Sequence, residues 1–395
     1  MNSETVNKTK ASEKKLLMAS LVGLCLSNFI LYSAPLYIGT LIDGLKISEA
    51  DAGLILTSEI GSVAVITLLI SSWLNKISLR LTSTLGVTLV LIANVATLVS
   101  SEYEMIIILR IIAGLGAGLS LAASSAIISK TRDPDKTFAS LLVMITLIMI
   151  IALFVMGYIT EDYGFNGVIG FFTLVVFLVS PLIIFIPEKQ LLEQQTAEKV
   201  TSDDHHFWLG ALAIFLVFIT CIIEGSVWSF SERVGTNLKI DDANIGKVLA
   251  MAQLMGLTGA SLSAFIGDRV TRIVPIFIGI TIMGFAGFEL YQTSSQLVYS
   301  ICLGSFNFGF FVALPYMLGA CARLDTDGRW ASRGTAVNIL GSATAPVIAG
   351  NIITSTSLST LGYFNISLAV ISLMLAFWFT SLFKKLEIAP SFDVG

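Results

Sequence analysis

Three ionisable side chains stand inside long apolar runs: Glu59, Arg110 and Glu224. A charged group deep in a bilayer costs at least about 2.5–3.5 kcal/mol, so its presence there asks for a reason. At 1.5 Å per residue, Glu59 lies roughly 13 Å from the nearer end of its run, and Arg110 and Glu224 roughly 8–9 Å from theirs. Two carboxylates and one guanidinium leave one negative charge over. In low dielectric that surplus is relieved by protonation or by a bound cation, which is what a proton-coupling site requires. The expectation is one charge cluster, in which Lys247 could cancel the surplus instead. A structural Glu59–Arg110 ion pair, and a Glu224 in a water-filled vestibule, are the plainer alternatives. Glu289, at the end of its run, reads as solvated.

Uncharged polar residues in the runs are Asn28, Gln253, Asn307 and Asn338. Each could bond to a solute, or join helices at about 0.6–2 kcal/mol. Gly114, Gly116 and Gly118 favour close helix packing. Pro35 and Pro315 interrupt their runs, and Tyr32, Tyr37, Phe230, Phe308 and Tyr316 are candidate pocket walls. Soluble-enzyme chemistry is poorly served. The sequence has no GxxxxGK[ST] loop and no HExxH, and its two histidines, His205 and His206, stand side by side in a polar stretch. Cys25, Cys221, Cys302 and Cys321 lack CxxC spacing, so neither a disulfide framework nor a metal site is expected. No cofactor is implied.

The elements that must position these residues are membrane spans. Of 395 residues, 55% are hydrophobic and 13% charged, against about 25% charged in soluble domains. The mean hydropathy is +0.86. A net charge of −4 gives no basic surplus for nucleic acid. Spanning helices need about 20 apolar residues, and twelve such segments can be drawn: 16–42, 50–74, 81–100, 105–129, 138–160, 167–187, 207–230, 243–266, 273–291, 296–322, 334–356 and 361–383. They do not alternate as barrel strands would. The first is too long for a signal-peptide core and reads as an uncleaved span. With the amino terminus inside, 18 of the 23 Lys and Arg residues fall on inner segments and four on outer ones. That bias places both termini in the cytoplasm. Trp73, Trp208, Trp228 and Trp330 fall near span ends, as an aromatic belt requires.

The longest polar interruption, 188–206, separates six spans (1–187) from six more (207–395). Asp133-Pro134-Asp135-Lys136-Thr137-Phe138-Ala139-Ser140 matches Asp325-Thr326-Asp327-Gly328-Arg329-Trp330-Ala331-Ser332, 192 residues on. Asn75-Lys76-Ile77-Ser78-Leu79-Arg80 matches Asp268-Arg269-Val270-Thr271-Arg272 at an offset of 193. Two matches at nearly one offset mark an internal repeat. Six spans is an even number, so the halves share one orientation, a parallel repeat about an axis along the membrane normal.

On these residues the chain resembles the major facilitator superfamily (MFS) of transporters over essentially its whole length. The family's loop signature, G-x-x-x-D-R-x-G-R-[RK], survives in the second half as Asp268, Arg269 and Arg272, with Ala264 and Thr271 at the glycine positions. In the first half it has Ser71, Asn75 and Lys76, followed by Arg80. The fourth-span pattern R-x-x-x-G-x-G is intact at Arg110, Gly114 and Gly116. The antiporter pattern G-x-x-x-G-P-x-x-G-G is missing from the fifth span, and a version stands in the eleventh at Gly341, Ala345, Pro346 and Gly350.

The resemblance implies an all-α integral membrane fold of two six-helix bundles. It also implies that the Asp268 and Asn75 loops act as a conformational latch, and that the first, fourth, seventh and tenth spans line a central cavity. The expected function is secondary transport of a small organic solute by alternating access, proton-coupled, with symport favoured. Proton-antiport efflux of drug-like or hydrophobic compounds is the alternative, and a non-transporting receptor the third reading. Expected partners are the solute, protons and membrane lipid, with no nucleic acid. A monomer in a bacterial inner membrane is the expected setting.

Overall fold

The computed structural model describes residues 3–388 except 72, 75, 130, 132, 187–206 and 325–328. The expected linker and its two histidines therefore lie outside the described residues, as does Asn75. What is described is helical: α1 (Ser3–Leu45), α2 (Glu49–Ser71), α3 (Leu79–Leu98), α4 (Tyr103–Ile128), α5 (Pro134–Val179), α6 (Phe207–Asn237), α7 (Asp242–Ile266), α8 (Ile273–Gln292), α9 (Gln296–Ala322), α10 (Arg329–Ser355) and α11 (Leu358–Ile388). Short 3₁₀ turns follow α5 (Ser180–Phe185) and α7 (Gly267–Arg269).

Among the described residues, eleven helices are long and apolar enough to cross a membrane. The difference from twelve arises in α5, 46 residues long. Straight, it would reach about 69 Å, over twice the ~30 Å hydrocarbon core. It is not straight. Gly164 has φ 53° and ψ −141°, a conformation open to glycine and to little else, and it divides α5 into two helical stretches. The sequence suggests a loop over 161–166, whereas one glycine makes the break. Large apolar side chains such as Leu68, Phe265, Phe285 and Phe377 are exposed on the helices, as lipid contact allows.

The chain forms two compact units, Met1–Thr196 with Lys239–Ala250, and Ala197–Leu238 with Met251–Gly395. In the first, α1 packs on α2, α4 and α5, and α4 packs on α2 and α3. The opening turns of α7 also belong to this unit. The Ala243 N–H donates to Glu161 Oε2 at 3.2 Å, and Gly157 meets Gly246 so closely that a Cβ on Gly246 would fall 2.7 Å from the Gly157 Cα. In the second unit, α6 packs on α8, α9, α10 and α11.

The repeat is visible in detail. Helices α2 and α4 begin at 49 and 103, and α7 and α9 begin at 242 and 296, each 193 residues later. Both α2 and α7 follow a Leu-Lys-Ile turn, whose lysines, Lys46 (φ 54°) and Lys239 (φ 58°), are the positive-φ residues other than glycine among those described. Both helices are capped three residues in: Ser48 Oγ accepts the Asp51 N–H at 3.1 Å, and Asp241 Oδ1 accepts that of Asn244 at 2.8 Å. The α3–α4 crossing is closed by glycines, a Cβ on Gly116 falling 2.5 Å from the Gly86 carbonyl. The α8–α9 crossing repeats it with Gly309 and Gly279, at 2.6 Å.

The end expected for the seventh span, at 230, is corrected here. Helix α6 continues to Asn237, so Trp228 is not at a span end but well inside the helix and buried, 2% exposed. Arg233, one of the four basic residues read on outer segments, lies in the same helical extension. There it holds Glu232, with Nε–Oε2 at 2.6 Å and Nη2–Oε1 at 2.8 Å, and Thr236 Oγ1 donates to Oε1 at 2.6 Å. A charge pair that satisfies itself lets the helix run on where a hydropathy window stops.

Candidate functional site

The first unit contains a buried ion pair. Glu59 comes from α2 and Arg110 from α4, 6% and 0% exposed. Arg110 Nη1 stands 3.6 Å from Glu59 Oε1, longer than a hydrogen bond. Arg110 Nη2 donates instead to Thr97 Oγ1 at 2.7 Å and, at 3.3 Å, to the Ala93 carbonyl of α3. Thr97 in turn donates to that carbonyl at 2.7 Å. The Tyr37 hydroxyl of α1, fully buried, also faces the pair. Glu59 Oε2, Arg110 Nε and Nη1 and the Tyr37 hydroxyl have no hydrogen-bond partner among the described residues.

The local sequence explains how α4 delivers Arg110. A Cβ on Gly114, one turn on, would fall 2.2 Å from the Glu59 carbonyl. On Gly118 it would fall 2.6 Å from the Val63 carbonyl, one turn along α2. Gly116, on the neighbouring face, meets α3. The spacing R-x-x-x-G-x-G-x-G thus brings α4 against two helices at once, with the guanidinium between them.

The internal repeat supplies a comparison. The positions 193 residues after Glu59, Thr97 and Arg110 are Ala252, Leu290 and Leu303, all buried. The same crossing is built there without charge, so the scaffold does not demand the ion pair.

The other expected site residues fall in both units. Glu224 lies on α6, in the second unit, and is half-buried. Lys247 donates to Asn244 Oδ1 at 2.8 Å and lies 5.3 Å over the Tyr158 ring, so its charge is engaged there. Asn28 Nδ2 donates to the Leu24 carbonyl at 2.8 Å, and Asn307 Nδ2 to that of Leu303 at 3.3 Å. Gln253 is buried, with Oε1 unpartnered among the described residues. Asn338 is half-buried on α10, whose interior also holds Pro346. Tyr32 and Thr146 hydroxyls meet at 3.5 Å. Tyr316 donates to the Ser263 and Gly267 carbonyls, at the end of α7.

Of the loop residues, Arg80 donates to the Ile184 and Ile186 carbonyls, each at 2.9 Å, inside the first unit. Lys76 is exposed. Arg269 donates to the Phe265 carbonyl and stacks 5.0 Å over that residue's ring. Arg272 Nη1 lies where it would be 2.8 Å from a Cβ on Gly319. The Asp268 side chain is outside the described set.

Sequence reasoning missed Thr97, which carries no charge and looks like any threonine in a span. Its partner stands on another helix, so no spacing along α3 signals it. It also missed Asn365, fully buried, whose Oδ1 accepts from Ser226 at 2.8 Å.

Similarity to solved structures accords with this architecture. A point mutant of the nucleoside transporter NupG superposes with a TM-score of 0.72 at 15% identity, covering 94% of this chain and 100% of that one. NupG itself gives 0.68 at 16%, covering 94% and 99%. A bacterial homologue of the human lysosomal transporter Spinster, inward-facing and unoccupied, gives 0.72 at 12%, covering 95% and 98%. At such identities the likeness is one of fold. No curated protein matches the sequence. The profile of the Major Facilitator Superfamily matches residues 16–324. A match over most of the chain, on a scaffold of membrane-spanning helices shared with known transporters, shows an integral membrane protein of a transporter family and not an enzyme: this chain belongs to the Major Facilitator Superfamily.

Proposed function

We propose that the chain is a proton-coupled secondary transporter that moves a small organic solute by alternating access of two six-helix halves. The observation that carries this reading is the Glu59–Arg110 pair, sealed inside a helix crossing that the second half builds with Ala252 and Leu303. A buried carboxylate beside one fixed cation, with one oxygen unpartnered, can gain and lose a proton at modest cost. Glu224 serves as the second coupling carboxylate. Counting the two stretches of α5 separately gives twelve crossings, and the inner bias of Lys and Arg puts both termini in the cytoplasm, of a bacterial inner membrane.

Asn28, Gln253, Asn307 and Asn338 are the proposed solute contacts. The loops around Asn75, Lys76 and Arg80, and around Asp268, Arg269 and Arg272, hold one conformational state. Uptake by symport is the favoured direction. Antiport is the second reading, favoured by Gly341, Ala345, Pro346 and Gly350 in α10. Nucleosides, named for the structural neighbour NupG, head a thermal-shift screen, followed by carboxylates and organic cations.

The test is flux in proteoliposomes with and without an imposed pH gradient. The wild type should concentrate its solute only with the gradient. Glu59→Gln and Glu224→Gln should exchange solute but fail to concentrate it. Uphill flux with unchanged pH dependence in both variants overturns the reading.

A further inference from the structure

A small cavity of about 30 Å³ adjoins the ion pair inside the first unit. Its walls include Cys25 and Phe29 of α1, Glu59 of α2, Asn94 of α3 and Ala113 of α4. Apart from Glu59 and Asn94 the walls are apolar or weakly polar. A single water needs about 10–15 Å³ and two or more polar partners. Glu59 is 6% exposed with Oε2 unpartnered among the described residues, and Asn94, 2% exposed, stands one turn before the Thr97 that holds Arg110. Helix α3 thus presents two polar side chains in succession, one to the guanidinium and one to the cavity.

The repeat indicates that this space is not a packing defect of the fold. The residues 193 positions after Asn94 and Ala113 are Gly287 and Phe306. In the second unit the Phe306 ring lies 3.3 Å from where a Gly287 Cβ would be, and Phe306 is fully buried. One half fills the place with an aromatic ring. The other has exchanged that ring for an alanine, put an asparagine opposite, and faced both with a carboxylate.

We propose that the cavity is an internal hydration site, in which one or two waters bridge Glu59 Oε2 and Asn94 and serve as the proton donor and acceptor for Glu59. When Glu59 is protonated, its O–H bond breaks as the water oxygen takes the proton, leaving a carboxylate beside Arg110 and a hydronium in the cavity. The reverse transfer restores the acid and the water. The ionisable groups facing Glu59 are Arg110 from α4 and Tyr37 and Cys25 from α1. Arg110 disfavours a resident cation beside Glu59, hydronium included, so the proton rests on Glu59 and the water only relays it. The hydration stands on its own; only the proton step rests on the coupling role proposed for Glu59.

Hydroxyl-radical footprinting of the full chain in lipid nanodiscs tests the site, because radicals formed from bound water label side chains beside it. Cys25 should be labelled several-fold faster than Cys221, and Phe29 faster than Phe306, although all four are buried. The double variant Ala113→Phe with Asn94→Gly, which installs the second half's solution, should bring Cys25 down to the Cys221 rate. If it does not fold, Asn94→Leu should do the same in part. Equal labelling of Cys25 and Cys221 in the wild type overturns the site. Fast Cys25 labelling together with intact proton-driven flux in Glu59→Gln keeps the water and removes the coupling role. Slow labelling with lost coupling does the reverse.

Discussion

At the scale of single residues, the Glu59–Arg110 pair is best judged by the difference between losing one partner and losing both. Both side chains are buried, Arg110 completely and Glu59 to 6% exposure. Truncating Glu59 to Ala leaves a buried guanidinium with Thr97 and the Ala93 carbonyl as its hydrogen-bond partners among the described residues, and breaking such a pair costs about 3–5 kcal/mol. Replacing both by apolar residues is often neutral or stabilising, and this chain already contains the replacement, Ala252 with Leu303. Glu59→Ala should therefore lower the unfolding midpoint of the purified protein markedly, while Glu59→Ala with Arg110→Leu should restore it. A double variant as unstable as the single one would mean that the pair is structural. The charged members of this site were legible in the sequence because charge in an apolar run is rare. Thr97 and Asn94 were not, since a polar uncharged residue costs little there and its partner is set by the helix crossing.

At the scale of elements, the close crossings are where the chain tolerates least. A Cβ on Gly116 or Gly309 would meet a facing carbonyl at 2.5–2.6 Å, so the helices must separate. Gly116→Ala and Gly309→Ala should each cost roughly 1–3 kcal/mol, and by similar amounts, because the two crossings are copies. Gly61→Ala and Gly170→Ala, with nothing within 4 Å, should be neutral or gain about 0.5–1 kcal/mol through helix propensity. Thermal unfolding of the four variants checks the pattern.

The start of α7 makes a second element-level prediction. Asp241 accepts the Asn244 backbone N–H and its side-chain amide, which holds its carboxyl below the ordinary carboxylate range. A lowered folded value contributes stability that is present above the unfolded value of about 3.9 and lost as pH falls through the folded one. Amide exchange over residues 242–247 should be insensitive to pH change near neutrality beyond the intrinsic rate. It should show extra loosening only in strong acid, and Asp241→Asn should lack that acid step. The spans themselves were legible from hydropathy alone. Their ends were not, because they turn on local devices: the left-handed Lys46 and Lys239, the single break at Gly164, and the Glu232–Arg233 pair that extends α6. The repeated Leu-Lys-Ile turn was open to inspection, but three common residues gain meaning only when the helix starts are seen to align.

At the scale of the whole molecule, the repeat separates what the fold needs from what has been added to it. Shared positions are packing devices: the glycine pairs, the capped starts of α2 and α7, the left-handed lysines. Where the halves part company, the first holds Glu59, Asn94, Thr97 and Arg110, and the second holds Ala252, Gly287, Leu290 and Leu303. If these polar residues couple transport to protons, they can be removed together without removing the carrier. The variant Glu59→Ala, Thr97→Leu, Arg110→Leu gives the first half the second half's apolar crossing. It should remain folded, and in proteoliposomes it should still exchange internal for external solute, since exchange needs only alternating access. Uphill accumulation under a pH gradient should fall to the level set by equilibration, and exchange should lose its pH dependence except for what Glu224 retains. Adding Glu224→Gln should remove that remainder. A triple variant that accumulates solute as the wild type does would assign coupling to the second unit. One that folds but exchanges nothing would make the ion pair part of the moving framework rather than the coupling device.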